Sequence, residues 1–508
     1  MAAMAVNSPS SHHFIKDGVA SFHPNHRLCS ISIQSSLLRS KNPMKKFSLS
    51  VNGTRTTRPE PTRYAGSEPV KACSHSFDVV IVGAGIIGLT IARQFLIGSD
   101  LSVAVIDKAV PCFGATGAGQ GYIWMVHKNP ESETWELTKR SHQLWKMLAE
   151  TISEQGMDPL QVLGWKKTGS LLVGRTPEDS VMLRKRVRQL SEAGLTAQYL
   201  SSNELQSKEP DLFVGSDGAA AFLPDDCQLD AHRTVSYIEK VFLFYFLLLF
   251  LLSVNRSFAP EGRYAEFYHE PVTGLVRSAT SGEVEAVQTS NNTLYGKAIV
   301  VAAGSWSRSL MHDLVRGTDI ELDVLVKPRK GHLVVLENFN SLQLNHGLME
   351  VGYVDYYQNA TLATGQDDQG QALSVSMTAT MDAMGNLVLG SSREFAGFST
   401  EVDDSIILRI WERAGDYFPK LKNLSLQDFI ENKKVRVGLR PYIDLHKVVS
   451  LLIAVPDGKP VIGHVPGCPL IATFLYKALG TAEMVVDMIL GNPTHVDNSP
   501  FAAQGRCC

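Results

Sequence analysis

The stretch Phe77-Asp-Val-Val-Ile-Val82, followed by Gly83-Ala-Gly85-Ile-Ile-Gly88, decides the fold of this chain. Its first six residues are mostly apolar and β-branched, which is typical of a buried parallel strand. In the turn that follows, Gly83 permits a tight reversal, Gly85 lets the backbone approach a pyrophosphate, and Gly88 lets a helix pack close to the strand. The sequence therefore predicts a strand, a glycine turn and a helix in that order.

A helix and a second strand complete this unit. Residues 89–96 favour a helix, and residues 101–106 favour a strand that ends at Asp107. The start of the helix, at Ile86 and Ile87, offers free N–H groups and a partial positive charge to phosphates. Asp107 is placed to accept hydrogen bonds from a ribose hydroxyl. The unit predicts dinucleotide binding but does not decide between FAD and NAD.

Charge is unevenly distributed along the 508 residues. The formal net charge is −3, but residues 1–70 hold nine Lys and Arg against three Asp and Glu, which gives +6 there and −9 in the remainder. The chain after residue 70 is net negative and lacks the excess of basic residues that binds nucleic-acid phosphates, so nucleic-acid partners are excluded.

Residues 1–72 are rich in Ser and basic residues and lack sustained periodicity. This composition predicts a transit peptide to the chloroplast, with the mitochondrion as the alternative, or a disordered tail without an address. The seven cysteines show neither paired metal-ligand spacing nor a disulfide framework, so no metal site is predicted and a reducing compartment is favoured.

Small residues follow Asp107 and Lys108, in the segment Gly114-Ala115-Thr116-Gly117-Ala-Gly-Gln120-Gly121. Here the sequence resembles the D-amino acid oxidase family, which includes glycine oxidase, sarcosine oxidase and D-amino acid dehydrogenase. The resemblance implies that this segment and Lys108 run along the flavin and pyrophosphate of FAD. Small residues suit that role because the backbone itself must approach a flat cofactor.

Two later segments carry the same resemblance. In residues 265–289, which resemble the strand pairs of the family, Val272 matches the position whose backbone meets the adenine. Residues 298–307 read Ala-Ile-Val-Val-Ala-Ala303-Gly304-Ser-Trp306-Ser and resemble a strand whose glycine turn closes on the cofactor. Together these segments imply FAD rather than NAD.

Arg440 is the predicted substrate residue. The resemblance implies that the Arg of Val437-Gly-Leu-Arg440-Pro441 holds the carboxylate of an amino acid substrate. A guanidinium pairs with a carboxylate through two parallel charge-assisted hydrogen bonds. The expected reaction moves hydride from the α-carbon of an amino acid or secondary amine to flavin N5, and the resulting imine hydrolyses. Tyr353, Tyr356 and Tyr357 are weaker candidates for the pocket.

The expected fold class is α/β, with a Rossmann-like FAD-binding domain intertwined with an α+β substrate domain on an antiparallel sheet. The FAD-binding domain is assigned to residues 76–164, 225–325 and 436–492. The substrate domain is assigned to residues 165–224 and 326–435, with a tail at 493–508.

Two segments depart from this pattern, at residues 241–254 and 443–455. The first contains twelve consecutive apolar residues, Val241 to Leu252, after a helix that should end near Lys240. A membrane span needs about 20 residues, so this run is too short to cross a bilayer. Translated intron sequence is the preferred interpretation, and a membrane-dipping element is the alternative.

The second runs from Ile443 to Ala454 and separates Arg440-Pro441 from Pro456-Asp-Gly458, motifs that are close neighbours in the family. Further along, just before the last helix, relatives carry a glycine turn where this chain reads Leu470-Ile-Ala-Thr-Phe-Leu-Tyr-Lys-Ala478. A chain without that turn is expected to bind FAD weakly or turn over slowly. The alternative functions are a non-catalytic or impaired flavoprotein and, less favoured, an NAD-dependent dehydrogenase. The sequence leaves the substrate, the electron acceptor and the oligomeric state open.

Overall fold

The computed structural model describes residues 73–253, 262–315, 326–353, 373–443, 461–464, 470–473 and 478–502. Several predictions fall on other residues: those for residues 1–72, for Tyr356 and Tyr357, for residues 444–455, and for the segment just before Ala478. They lie outside the described part of the chain.

The first sheet is built on the predicted strand–turn–helix–strand unit. Its strand order is β17-β18-β11-β1-β2-β8, and β9 and β10 extend it from β11. Strand β1 is parallel to both β2 and β11, and its last four residues are buried. The strands are β1 Cys73–Val82, β2 Val103–Ile106, β8 Tyr264–Phe267, β9 Gly274–Arg277, β10 Val284–Gln288, β11 Asn292–Val301, β17 Ile462–His464 and β18 Leu470–Thr473.

The second sheet also has eight strands, in the order β16-β12-β15-β14-β13-β4-β6-β5. Every neighbouring pair is antiparallel except β13 and β4. The strands are β4 Ser170–Gly174, β5 Gln198–Ser201, β6 Ala219–Leu223, β12 Val326–Leu336, β13 Gly347–Glu350, β14 Ser374–Met381, β15 Leu387–Arg393 and β16 Lys433–Ile443. The predicted combination of a Rossmann-like unit with a largely antiparallel sheet is confirmed. A third, two-stranded sheet pairs β3 Tyr122–Ile123 with β7 Cys227–Gln228.

Helices cover both large sheets. Along the described chain they are α1 Ile86–Gly98, α2 Ala115–Ala118, α3 Trp135–Glu154, α4 Pro159–Leu163, α5 Pro177–Glu192, α6 Ser202–Lys208, α7 Ala231–Ser253, α8 Ser307–Val315, α9 Asp404–Tyr417, α10 Pro419–Lys422, α11 Leu426–Asn432 and α12 Ala478–Leu490. Helix α9 places Ile406, Ile410 and Trp411 in the core of the second sheet. Helices α1 and α7 pack into the core of the first sheet, where α12 joins them.

Helix α7 is longer than predicted, and the expected end near Lys240 is wrong. The helix continues to Ser253 because Leu and Phe follow Lys240 without a Gly or Pro that would end it. Phe242 is fully buried against Tyr264, with ring centroids 4.5 Å apart. The unusual apolar run therefore begins inside the core of the first sheet. In the part of the chain described here, we find no helix with the length and apolar character that a bilayer crossing requires.

Strand β16 lies wholly in the second sheet. It pairs with β12 over its full length, from Lys433 opposite Leu336 to Ile443 opposite Val326. The sequence division instead placed residues from 436 onward with the first sheet. The difference arises because the sequence marks a motif at Arg440 but not the strand to which it pairs.

A buried carboxylate connects the segment after the glycine-rich loop to the second sheet. Asp226 is 1% exposed and accepts hydrogen bonds from the Met125 N–H (2.9 Å), the Val126 N–H (3.1 Å) and the Ser170 hydroxyl (2.6 Å). Burial raises the pKa of Asp226 to about 6 despite these three donors. Burial lowers the pKa of the neighbouring His142 to about 4, so that imidazole is neutral where Asp226 titrates.

We expect Asp226→Asn to change the pH dependence of stability. The pKa of Asp226 in the folded protein lies above the ordinary value of 3.8, so the stability contributed by the protonated form is complete below pH 4 and is lost as the pH rises through 6. The lost contribution is about 3 kcal/mol at roughly 1.4 kcal/mol per pKa unit. The free energy of unfolding, measured with urea, should therefore fall by up to this amount more in the wild type than in the variant when the pH is raised from 4 to 7.

The matched control is Asp225→Asn, because Asp225 is the adjacent carboxylate and is 43% exposed. This control should not gain on the wild type between pH 4 and pH 7. Parallel pH profiles for the wild type and Asp226→Asn would contradict the prediction.

Candidate cofactor and substrate site

The first turn is closed by backbone contacts that leave no room for side chains at two glycines. Gly83 has a φ of +118°, and a Cβ there would overlap the carbonyl of Ala302, directly after β11. A Cβ at Gly88 would overlap the Gly83 carbonyl. Gly85 differs, because a Cβ there would meet only the Thr116 hydroxyl, at 3.4 Å. Internal packing therefore does not require glycine at position 85, whereas close approach of a ligand would.

The N-terminus of α1 faces the glycine-rich loop. Gly85 is the N-cap residue and has no side chain to satisfy the first N–H groups of the helix at Ile86 and Ile87. The Ile86 N–H donates to the Thr116 hydroxyl at 3.1 Å. The helix dipole and the Thr116 hydroxyl thus lie together where the predicted pyrophosphate would bind.

Asp107 holds the turn from the end of β2. The Ala84 N–H donates to Asp107 Oδ2 at 2.7 Å, and the Ala109 N–H donates to Oδ1 at 2.8 Å. Each carboxylate oxygen can accept a further hydrogen bond, so ribose hydroxyls can still donate to this side chain.

The loop at residues 114–121 contains one helical turn, α2, and packs tightly at two glycines. A Cβ at Gly117 would overlap the Cys112 carbonyl and lie 3.0 Å from the His232 ring. Gly121 has a φ of +72°, and a Cβ there would overlap the Leu229 carbonyl. Ala115, in the first turn of α2, lies against Gly438 of β16. The small residues therefore serve packing as well as any approach to a cofactor.

The remaining predicted cofactor residues lie around the end of β11. Gly304, with a φ of +55°, begins a 3-10 turn directly after Ala303. Lys108 Nζ lies 3.5 Å from the centroid of the Trp306 ring, and partial burial lowers the pKa of Lys108. Val272 packs on the core that contains the end of β11. The structure brings these residues to one edge of the first sheet, and their contact with FAD stays a prediction.

Arg440 is brought to this edge by two contacts between the sheets. The Ser305 hydroxyl donates to the Leu439 carbonyl at 2.8 Å. Gly438, two residues before Arg440, lies against α2, where a Cβ would come within 2.6 Å of the Ala118 Cβ. The substrate residue predicted from sequence therefore lies beside the glycine-rich loop at residues 114–121, which we call the flavin loop because it is predicted to contact the flavin.

The Arg440 guanidinium crosses Gly331 on the neighbouring strand. A Cβ at Gly331 would lie 3.0 Å from Arg440 Cζ. Arg440 is half-buried, and no hydrogen bond or ion pair of its side chain is found within the described ranges. A half-buried guanidinium without a carboxylate partner can bind one from a ligand.

The sequence interpretation missed three glycines of the second sheet, Gly331, Gly390 and Gly438. Gly331 and Gly438 are directly opposite each other on β12 and β16. A Cβ at Gly390 would lie 2.8 Å from the Thr378 hydroxyl and 3.7 Å from Gln120 Nε2. Glycine inside a strand often marks the close approach of a ligand or another backbone, and that signal was available in the sequence.

The residues present fit an FAD molecule. They provide a helix N-terminus whose N-cap residue has no side chain, a glycine that internal packing does not require, and a carboxylate at the end of β2. These are the donors and acceptors that a pyrophosphate and a ribose need. Among the side chains that the structure describes, no group of His, Cys, Asp or Glu is arranged to hold a metal ion.

We expect Asp107→Asn to weaken FAD binding about tenfold or more, because a charged acceptor of hydrogen bonds is replaced by a neutral amide. One carboxylate oxygen becomes an NH₂ group that can only donate, so the side chain can no longer accept from both the Ala84 and the Ala109 N–H. Titration of the apoprotein with FAD, followed by flavin fluorescence, measures the effect. Asp100→Asn, at an exposed carboxylate just before β2, is the control. Equal FAD affinity in the two variants would contradict the assignment of Asp107.

Similar proteins are found by sequence and by structure. Glycine oxidase from Geobacillus kaustophilus is 26% identical over 265 residues, which are 52% of this chain and 62% of that protein. Hydrogen cyanide synthase subunit HcnC from Pseudomonas aeruginosa is 23% identical over 474 residues, 85% of this chain and 96% of that protein. The crystal structure of glycine oxidase from Geobacillus kaustophilus superimposes with a TM-score of 0.64 at 20% identity and covers 85% of this chain and 99% of its own.

The structural likeness shows the fold, and the family follows from the sequence. The model of the DAO family, described as FAD dependent oxidoreductase, matches residues 78–483. That match spans both sheets, from β1 to α12. The chain therefore belongs to the FAD-dependent oxidoreductase (DAO) family, and its cofactor is FAD.

Proposed function

We propose that this enzyme oxidises the amine of an amino acid or a secondary amine that carries a carboxylate. The observation that carries the proposal is the position of Arg440, beside the flavin loop and without a carboxylate partner in the described part of the chain. Relatives that are glycine oxidases support the substrate class.

Arg440 would bind the substrate carboxylate and thereby position the α-carbon. The guanidinium lies over Gly331, where no side chain separates it from the backbone of β12. A bidentate pair with a carboxylate fixes both the distance and the direction of the attached α-carbon. Orientation of this kind supplies a large part of the rate when no covalent step involves the protein.

The chemistry that FAD would supply when bound is acceptance, at N5, of the hydride that leaves the α-carbon. The substrate nitrogen lone pair forms the C=N bond of the imine as that hydride leaves, and water then converts the imine to a carbonyl compound and a free amine or ammonia. The chain needs no acid or base for the hydride step. Its contribution is to bind the carboxylate at Arg440 and to hold the loop at residues 114–121 against β16.

We expect the purified yellow protein to be bleached under anaerobic conditions by at least one member of a panel of glycine, sarcosine and D-amino acids. Loss of the flavin absorbance reports substrate oxidation directly, whatever the later electron acceptor is. NADH formation from NAD without any change in the flavin spectrum would refute the proposal. A yellow protein that no amine bleaches would favour the alternative of an impaired flavoprotein.

We expect Arg440→Lys to raise KM for the best substrate about tenfold to a hundredfold, because Lys offers a point charge in place of two parallel hydrogen bonds. The matched control is Arg436→Lys on the same strand, because Arg436 already has a carboxylate nearby, Asp382 at 3.8 Å. Steady-state kinetics and the flavin spectrum are measured for both variants. An unchanged KM in Arg440→Lys would remove Arg440 from the substrate site.

A further inference from the structure

Three unsatisfied hydrogen-bond donors follow the flavin loop on one side of the chain. Gln120, Tyr122 and Trp124 alternate along an extended segment that includes β3. Side chains at alternate positions of an extended segment point to the same side. Gln120 Nε2, the Tyr122 hydroxyl and Trp124 Nε1 are each buried and have no hydrogen-bond partner within the described ranges. We call these three side chains the donor row.

The donor row faces the second sheet next to the glycines described above. The Thr378 hydroxyl donates to Gln120 Oε1 at 3.1 Å, which orients the Gln120 amide so that its NH₂ group is left without a partner. The Tyr122 ring stacks on Trp124, with centroids 3.6 Å apart and an interplanar angle of 9°. Trp124 is 3% exposed and lies against Gly347. Packing therefore fixes all three side chains.

An unpaired buried donor costs about 1–3 kcal/mol, so three adjacent ones favour the binding of a ligand that supplies acceptors. The indole and amide N–H groups can only donate. Burial raises the pKa of Tyr122 well above its usual value and outweighs the opposing effect of the nearby Thr378 and Gln120 side chains, so the phenol keeps its proton and can donate as well. A group that satisfies the row must therefore present oxygen acceptors.

The donor row lies a short distance along the sheet from Arg440. Arg440 covers Gly331, and Gln120 Nε2 approaches Gly390. Gly390 is opposite Leu333, two residues along β12 from Gly331, so these glycines are about 8 Å apart at ordinary strand spacing. A small substrate held by Arg440 could reach the donor row with a second acceptor.

Positive charge is also present on this side of the sheet. Arg393 is 1% exposed, stacks over the Tyr353 ring at 3.9 Å and donates to the Ser376 hydroxyl at 3.3 Å, two residues along β14 from Thr378. A buried guanidinium near the donor row favours a negatively charged acceptor over a neutral one.

We propose that the donor row binds a second carboxylate, so that the preferred substrates are amines with two carboxylates. This inference rests on the proposed function, because it takes the first carboxylate to be held by Arg440. It also assigns Tyr122 as a residue that determines specificity rather than as a core tyrosine.

The test uses the FAD-bound protein and two ligands that contain no amine and are therefore not substrates of the proposed reaction. Diglycolate is the oxygen analogue of iminodiacetate, and methoxyacetate is the oxygen analogue of sarcosine with a single carboxylate. The dissociation constant of each is measured from the change in the flavin absorbance spectrum and checked by thermal shift. Tyr122→Phe removes only the hydroxyl and keeps the stack on Trp124, and Tyr199→Phe, on β5, is the matched control.

We expect the wild type to bind diglycolate at least tenfold more tightly than methoxyacetate. Tyr122→Phe should weaken diglycolate binding about tenfold, and this loss should be at least fivefold greater than the loss for methoxyacetate, as expected for one hydrogen bond to a charged group. Tyr199→Phe should retain the preference of the wild type. Equal affinity of the wild type for the two ligands would overturn the proposal.

Two further outcomes also overturn it. Equal losses for both ligands in Tyr122→Phe would place the hydroxyl at the shared carboxylate, and a changed FAD affinity or flavin spectrum without ligand selectivity would place it at the cofactor. These results are separate from failure of the proposed function, which shows as a flavin that no amine bleaches. Binding of the two analogues is measured without turnover and decides the inference in either case.

Discussion

The structure depends on the turn after β1, where two glycines allow backbone atoms to pack in space that a side chain would occupy. Gly83 lies against the Ala302 carbonyl, and Gly88 lies against the Gly83 carbonyl. These contacts fix β1, α1 and β11 relative to one another at the carboxyl edge of the first sheet. Any side chain at either position would separate two of these elements. Asp107 adds the end of β2 to the same edge through the Ala84 N–H, so the predicted cofactor site is formed by the packing of the fold itself.

The second sheet meets this edge through glycine and alanine rather than through large apolar side chains. Gly438 lies against Ala118, and the Ser305 hydroxyl bonds to the Leu439 carbonyl. Because the contact is made by small groups and backbone, Arg440 is held close to the flavin loop with little side-chain bulk between them. Because glycine has no side chain, the backbone around Gly331 and Gly390 is uncovered, and a small ligand can lie over it.

Local patterns were sufficient for the parts of the site that are contiguous in sequence. The strand, the glycine turn and Asp107 occur in order within one unit, so the strand–turn–helix–strand unit could be predicted from residues 77–107, while its contact with FAD stays a prediction. Arg440 could be identified only from its motif, because its strand pairs with β12, about a hundred residues earlier. No local signal shows that pairing, and so the division at residue 436 missed it. The end of α7 was misplaced for a related reason, since the core that receives Phe242 is formed by distant strands.

Buried polar groups show where the chain uses its interior for stability and where it leaves capacity for a ligand. Asp226 is buried with three donors directed at it, so its carboxylate is satisfied within the protein and anchors Met125 and Val126. The donor row of Gln120, Tyr122 and Trp124 comes immediately before this anchor and has the opposite character, because its donors lack acceptors among the described residues. This segment is fixed at Met125 and Val126, and its buried donors have no acceptors among the described residues. It is therefore pre-organised for binding, since its side chains need not be reordered when a ligand supplies an acceptor. The Asp226 carboxylate thus helps to fix the donor row. Its side chains keep their positions through packing and through this neighbouring anchor, although they lack hydrogen bonds of their own within the described residues.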